Sequence, residues 1–109
     1  LYSGNDDITL PLMSIGGSGV ISVFANVMPG MCRQIVADYA GGNQARALEN
    51  HLKYLKLMNG LFMEVNPIPV KSAMNMMGLN AGPMRLPLCE MSGEHQAALR
   101  AMLEEAGLL

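Results

Sequence analysis

The segment Val20-Ile21-Ser22-Val23-Phe24-Ala25 constrains the fold more than any other stretch of this chain. It is rich in β-branched residues and almost continuously apolar, without the alternation of a strand that has one wet face. That pattern predicts a strand buried on both sides, as in a parallel sheet covered by helices. Such a strand needs neighbours, yet the only other strand candidate is Leu1-Tyr2-Ser3, the end of one. Two short strands do not make a stable sheet. Everything after Asn26 reads as helical. The order strand, helix, strand, helix therefore predicts the last two units of a larger α/β array, with further helices packed outside it. The chain is expected to be a piece of a longer protein, an expectation shared by its start inside a strand without an initiator methionine.

Punctuation along the chain places the helices. Asn5, Asp6 and Asp7 form a capping cluster for a short helix through Ile8, Leu10, Leu12 and Met13, ending at Gly16-Gly17. Pro29 suits the first turn of a helix with Met31, Ile35 and Tyr39 on one face, stopped by Gly41-Gly42. Asn43 can cap a long helix with an apolar stripe of Ala45, Leu48, Leu52, Leu55, Met58 and Phe62, and with a Glu49–Lys53 pair on the opposite side. Asn66-Pro67-Ile68-Pro69 breaks the chain, Pro69 starts a short helix ending at Gly78, and Ser92 caps a last helix through Leu99, Met102, Leu103 and Ala106.

Composition excludes several function classes. Half of the 109 residues are hydrophobic and 15% are charged, so disorder is excluded. The net charge of −2 supplies no basic surface for nucleic acid. Apolar runs are far shorter than the roughly 20 residues that cross a bilayer, and no leader pattern opens the sequence. Cys32 and Cys89 are far apart with no ligand spacing, and read as free cytosolic thiols.

Few residues suggest chemistry by themselves. Asp6 and Asp7 could be an acid–base or metal pair, but capping explains them. His51 and His95 lack metal spacing. The eleven methionines read as adaptable core filling, and Gly16-Gly17-Ser18-Gly19 precedes a strand instead of opening a helix, unlike a phosphate loop. Gly4 reads as turn chemistry and Ile21 as core.

Three segments nevertheless carry a resemblance: Ser3-Gly4-Asn5-Asp6; Gly19-Val20-Ile21-Ser22-Val23-Phe24-Ala25-Asn26; and Leu61-Phe62-Met63-Glu64-Val65-Asn66-Pro67-Ile68-Pro69-Val70-Lys71. With Leu86-Pro87-Leu88 and Ala106-Gly107-Leu108-Leu109, they resemble the dihydrodipicolinate synthase family over the whole chain, but over only the C-terminal third or so of the family's length. The hexad Asn66 to Lys71 is the most specific element. It separates this family from the related N-acetylneuraminate lyases, the weaker alternative.

The resemblance implies an α/β fold, the C-terminal part of a (β/α)8 TIM barrel. Residues 1–42 would be its last two βα units and residues 43–109 a helical appendage. It implies a cytoplasmic lyase, usually a homotetramer, that condenses pyruvate with aspartate semialdehyde through a lysine Schiff base in lysine biosynthesis, with no metal and no cofactor. Gly4 would contribute main-chain groups beside the substrate and Ile21 its main-chain carbonyl, with Asn5 and Asp6 on the aldehyde side. The Schiff-base lysine lies upstream in the family. Lys53, Lys56 and Lys71 sit on no strand and in no apolar run that would lower a lysine pKa, so the chain alone is expected to be inert. A non-catalytic role as a self-associating or assembly fragment is the second expectation, because a quarter barrel leaves strand edges and helix faces bare.

Overall fold

A computed structural model describes all residues 1–109. Its only sheet is a parallel pair, β1 (Tyr2–Ser3) and β2 (Gly19–Val20), with Tyr2 opposite Gly19 and Ser3 opposite Val20. Between them the chain makes a 3-10 turn, Asp6–Ile8, and α1 (Thr9–Ser14). After β2 comes a second 3-10 turn, Phe24–Asn26, and then four helices: α2 (Pro29–Ala40), α3 (Gln44–Gly60), α4 (Ile68–Met76) and α5 (Gly93–Glu105).

The expected strand over 20–25 is thus a correction. Only Val20 of that run is extended within the sheet, and Phe24 and Ala25 lie in a 3-10 turn. The cause is a side chain from the first loop: the Asp6 carboxylate accepts hydrogen bonds from the Ser22 hydroxyl and from the main-chain N–H groups of Val23 (3.1 Å) and Phe24 (3.0 Å). Two successive amides drawn to one oxygen cannot also point along a sheet ladder.

The helix boundaries follow their signals. Pro29 and Pro69 each sit in a first turn. Asn43 and Ser92 cap α3 and α5 by accepting from the N–H groups of Arg46 and His95, contacts worth about 1 kcal/mol each. Asn5 makes no side-chain cap. Instead its N–H donates to the Ser3 hydroxyl, which in turn donates to the Asn5 carbonyl.

The buried face of α3 is also a correction. Ala47, His51, Tyr54, Leu57 and Met58 are buried, whereas Leu48 and Leu52 are 51% and 58% exposed and Ala45 and Phe62 are exposed too. Both stripes recur every three to four residues, so spacing alone does not choose between them. The chosen stripe sets Tyr54 against Phe24, with ring centroids 6.0 Å apart. The other side of the core joins α3 to α5 through the fully buried Leu61, Leu99 and Leu103. Gly60 permits that approach, because a Cβ there would collide with the Met102 sulphur. Glu49 and Lys53 do not pair: Lys53 Nζ lies over the Tyr54 ring at 5.3 Å, and the ion pairs are Arg46–Asp38, Lys56–Glu105 and His95–Glu64.

Leu61→Ala is expected to destabilise the chain by about 2–5 kcal/mol, and Leu52→Ala by less than about 0.5 kcal/mol. Urea unfolding of the two variants checks which face is the core, and equal losses would contradict the assignment.

Candidate functional site

Parallel pairing brings the two strand ends to the same edge of the molecule. With Ser3 opposite Val20, the next residues of each strand, Gly4 and Ile21, leave the sheet side by side, and the Ile21 N–H donates to the Ser3 carbonyl at 2.8 Å. Asn5 and Asp6 follow Gly4 in the same loop. All four residues singled out in the sequence therefore meet at one place, although their environments differ sharply.

Gly4 and Asn5 are exposed and Ile21 is 72% exposed, while Asp6 is only 3% exposed. A Cβ on Gly4 would meet nothing within 4 Å, and its backbone is not left-handed. Nothing within these 109 residues requires a glycine there. The Ile21 carbonyl accepts no hydrogen bond from any residue of the chain. The Asp6 carboxylate, by contrast, is fully engaged with Ser22, Val23 and Phe24, and the Asp6 carbonyl accepts from the Thr9 hydroxyl at 2.9 Å. Ser22 also accepts from the Ala25 N–H at 2.8 Å. Sequence reading missed Ser22; a lone hydroxyl in an apolar run was its one signal.

Asp6, Thr9, Cys32 and His51 line a cavity of about 10 Å³ under these loops. It is far too small for an organic substrate. Burial pushes the Cys32 thiol up; the Ser22 hydroxyl opposes this and the Asp6 charge adds to it. A thiol held protonated is a poor nucleophile. His51 is buried with Nδ1 unpartnered. Burial pulls its pKa below 6.5, partly offset by the Asp7 main chain and charge. No three His, Cys, Asp or Glu side chains are grouped to hold a metal ion.

The lysines lie elsewhere. Lys56 Nζ pairs with Glu105 at 3.1 Å and Lys71 Nζ donates to the Pro83 carbonyl at 2.6 Å. All three lysines named above belong to α3 and α4, and none is at the strand ends.

The family model for the dihydrodipicolinate synthetase family matches residues 1–106. The chain belongs to this family. It is 49% identical to the 4-hydroxy-tetrahydrodipicolinate synthase of Clostridium perfringens over all 109 residues, which are 38% of that relative's length. The dihydrodipicolinate synthase structure from Thermotoga maritima superimposes with a TM-score of 0.96 at 47% identity, covering 99% of this chain and 37% of that one. A chloride-inhibited dihydrodipicolinate synthase from Acinetobacter baumannii, complexed with pyruvate, matches at a TM-score of 0.93 and 38% identity, again over 99% of this chain and 37% of the other. The chain thus spans about two fifths of the length of the dihydrodipicolinate synthases it matches. No helix in it is long and apolar enough to cross a membrane.

His51 sets a pH dependence whose sign is fixed. A histidine with a folded pKa below its unfolded value binds fewer protons when folded, so stability falls as pH drops below about 6.5. The thermal midpoint is expected to fall between pH 7 and pH 5, and to fall less in His51→Leu. Glu64 does not confound this window. The His95 ring and the Ser92 hydroxyl and N–H hold its pKa below 4.5, so its contribution is lost only at lower pH. An unchanged pH slope in His51→Leu would contradict the assignment.

Proposed function

We propose that this chain is the C-terminal part of a 4-hydroxy-tetrahydrodipicolinate synthase, with residues 1–42 as the last two βα units of a (β/α)8 barrel and residues 43–109 as the helical appendage. The observation that carries this reading is the side-by-side exit of Gly4 and Ile21 from a parallel pair, in a chain 49% identical throughout to such a synthase. In barrels of this kind the C-terminal ends of the strands carry the chemistry. An open, largely apolar groove of about 420 Å³ between β2 and α2, walled by Tyr2, Val20, Val36 and Ala40, supports a further barrel element packing there.

The whole enzyme would join pyruvate to aspartate semialdehyde. A lysine amine outside this chain condenses with the pyruvate carbonyl and releases water. Loss of a methyl proton gives the enamine, whose carbon attacks the aldehyde carbon. This chain's share is positioning. The free Ile21 carbonyl is an acceptor facing the reacting atoms, and Gly4 leaves its backbone open to close approach by substrate. Asn5 presents an exposed amide beside them. A cytoplasmic homo-oligomer without metal or cofactor belongs to the same proposal. The exposed Leu1, Tyr2 and Ile21 favour a second reading, in which the isolated chain self-associates or docks on a complementary fragment without catalysing anything.

Intact-mass measurement after pyruvate and borohydride tests the proposal. The 109-residue chain alone is expected to gain no mass. Joined behind the portion of the Clostridium perfringens relative that precedes the matched residues, it should yield one reduced pyruvate adduct on that portion. An adduct on the isolated chain, with Lys71 the first position to map, would overturn the reading.

A further inference from the structure

We propose that Asp6 is a positioning residue of this site and not a substrate ligand: its buried carboxylate holds the turn after β2 so that the Ile21 carbonyl is presented to the reacting atoms. This rests on the function proposed above. An ionised carboxylate only accepts hydrogen bonds, and that of Asp6 already takes three, one from Ser22 on Oδ1 and two from Val23 and Phe24 on Oδ2. At 3% exposure it has no face left for a ligand. A buried charge of this kind persists only when its donors are in place, so carboxylate and turn specify each other.

The three donors are consecutive and begin immediately after Ile21. The peptide group joining Ile21 to Ser22 carries the Ile21 carbonyl, and it is held from both sides. On one side the Ile21 N–H is bound to the Ser3 carbonyl; on the other the Ser22 side chain is bound to Asp6. Ser22 passes the restraint onward by accepting the Ala25 N–H, and Phe24 anchors the turn with a fully buried ring. Because Asp6 stands two residues after Gly4, one side chain fixes the loop carrying Gly4 against the loop carrying Ile21. Without it, the buried Phe24 amide and the partly buried Val23 amide would lose their acceptor, and the turn would have to rearrange.

The test uses the joined protein described above, comparing the unsubstituted form with Asp6→Ala, Asp6→Asn and Leu99→Ala. Three quantities are read: borohydride-trapped pyruvate, turnover with aspartate semialdehyde, and melting temperature. Asp6→Ala is expected to lower kcat by about 100-fold, the scale of an ångström-sized misplacement, while one pyruvate still adds to the upstream lysine. In Asp6→Asn the amide oxygen can still accept both main-chain N–H groups, so the loss should be smaller, about tenfold. Leu99→Ala, in the core of the appendage, should lower the melting temperature and leave kcat unchanged. Turnover by Asp6→Ala within about twofold of the unsubstituted protein would overturn the proposal, and so would joint loss of adduct and turnover, which is the mark of a purely structural role. If Asp6→Ala does not fold, Asp6→Asn decides, and unchanged turnover overturns. Should the unsubstituted protein form neither adduct nor product, the functional reading itself fails and this inference with it.

Discussion

The Asp6 carboxylate, placed under the exit of two parallel strands, organises what surrounds it. Three donors from residues 22–24 converge on it, and a carboxylate removed from water tolerates nothing less. This interaction ends β2 after two residues, turns Phe24 into the core, and leads the chain toward Pro29 and α2. It also aligns the loops that bear Gly4 and Ile21. A short strand pair would otherwise have only a few ladder hydrogen bonds to keep its register.

Packing beyond that point is helix on helix. Phe24 meets Tyr54 on one side of α3, while Leu61, Leu99 and Leu103 are fully buried in the same core and Gly60 at the end of α3 lies against Met102 of α5. These contacts commit one face of α3 to the interior and leave Leu48 and Leu52 outside. The strand ends are the opposite case, with polar main chain and an exposed Ile21 where the site is proposed. Exposed apolar side chains are not confined to the strand ends, since Leu79 and Leu86 of the helical part are 52% and 93% exposed.

Much of this was legible in the residues. Proline in first turns, Asn43 and Ser92 as caps, and glycine stops placed the helices, because those signals act over three or four residues and need no partner. The expected strand over 20–25 was not borne out: β-branched runs score as strand wherever they occur, and the side chain that bends this one lies 16 residues away. The face of α3 escaped for a similar reason. Two stripes satisfied the same period, and only the position of Phe24 and α5 selects between them. Asn5, Asp6 and Asp7 read as a helix cap, yet Asp6 serves a different segment from the one it precedes. Belonging to the dihydrodipicolinate synthetase family was legible through Asn66 to Lys71 and the glycine-flanked segments, since those residues are specific where hydrophobic pattern is not.

Amide hydrogen exchange at Val23 and Phe24 probes the Asp6 restraint most directly. If the carboxylate holds both N–H groups, they exchange about as slowly as the Ile35 amide inside α2, and Asp6→Ala abolishes their protection while Ile35 keeps its own. Exchange at Val23 and Phe24 as fast as at Leu86, in a loop where that side chain is 93% exposed, would contradict the arrangement on which the proposed site depends.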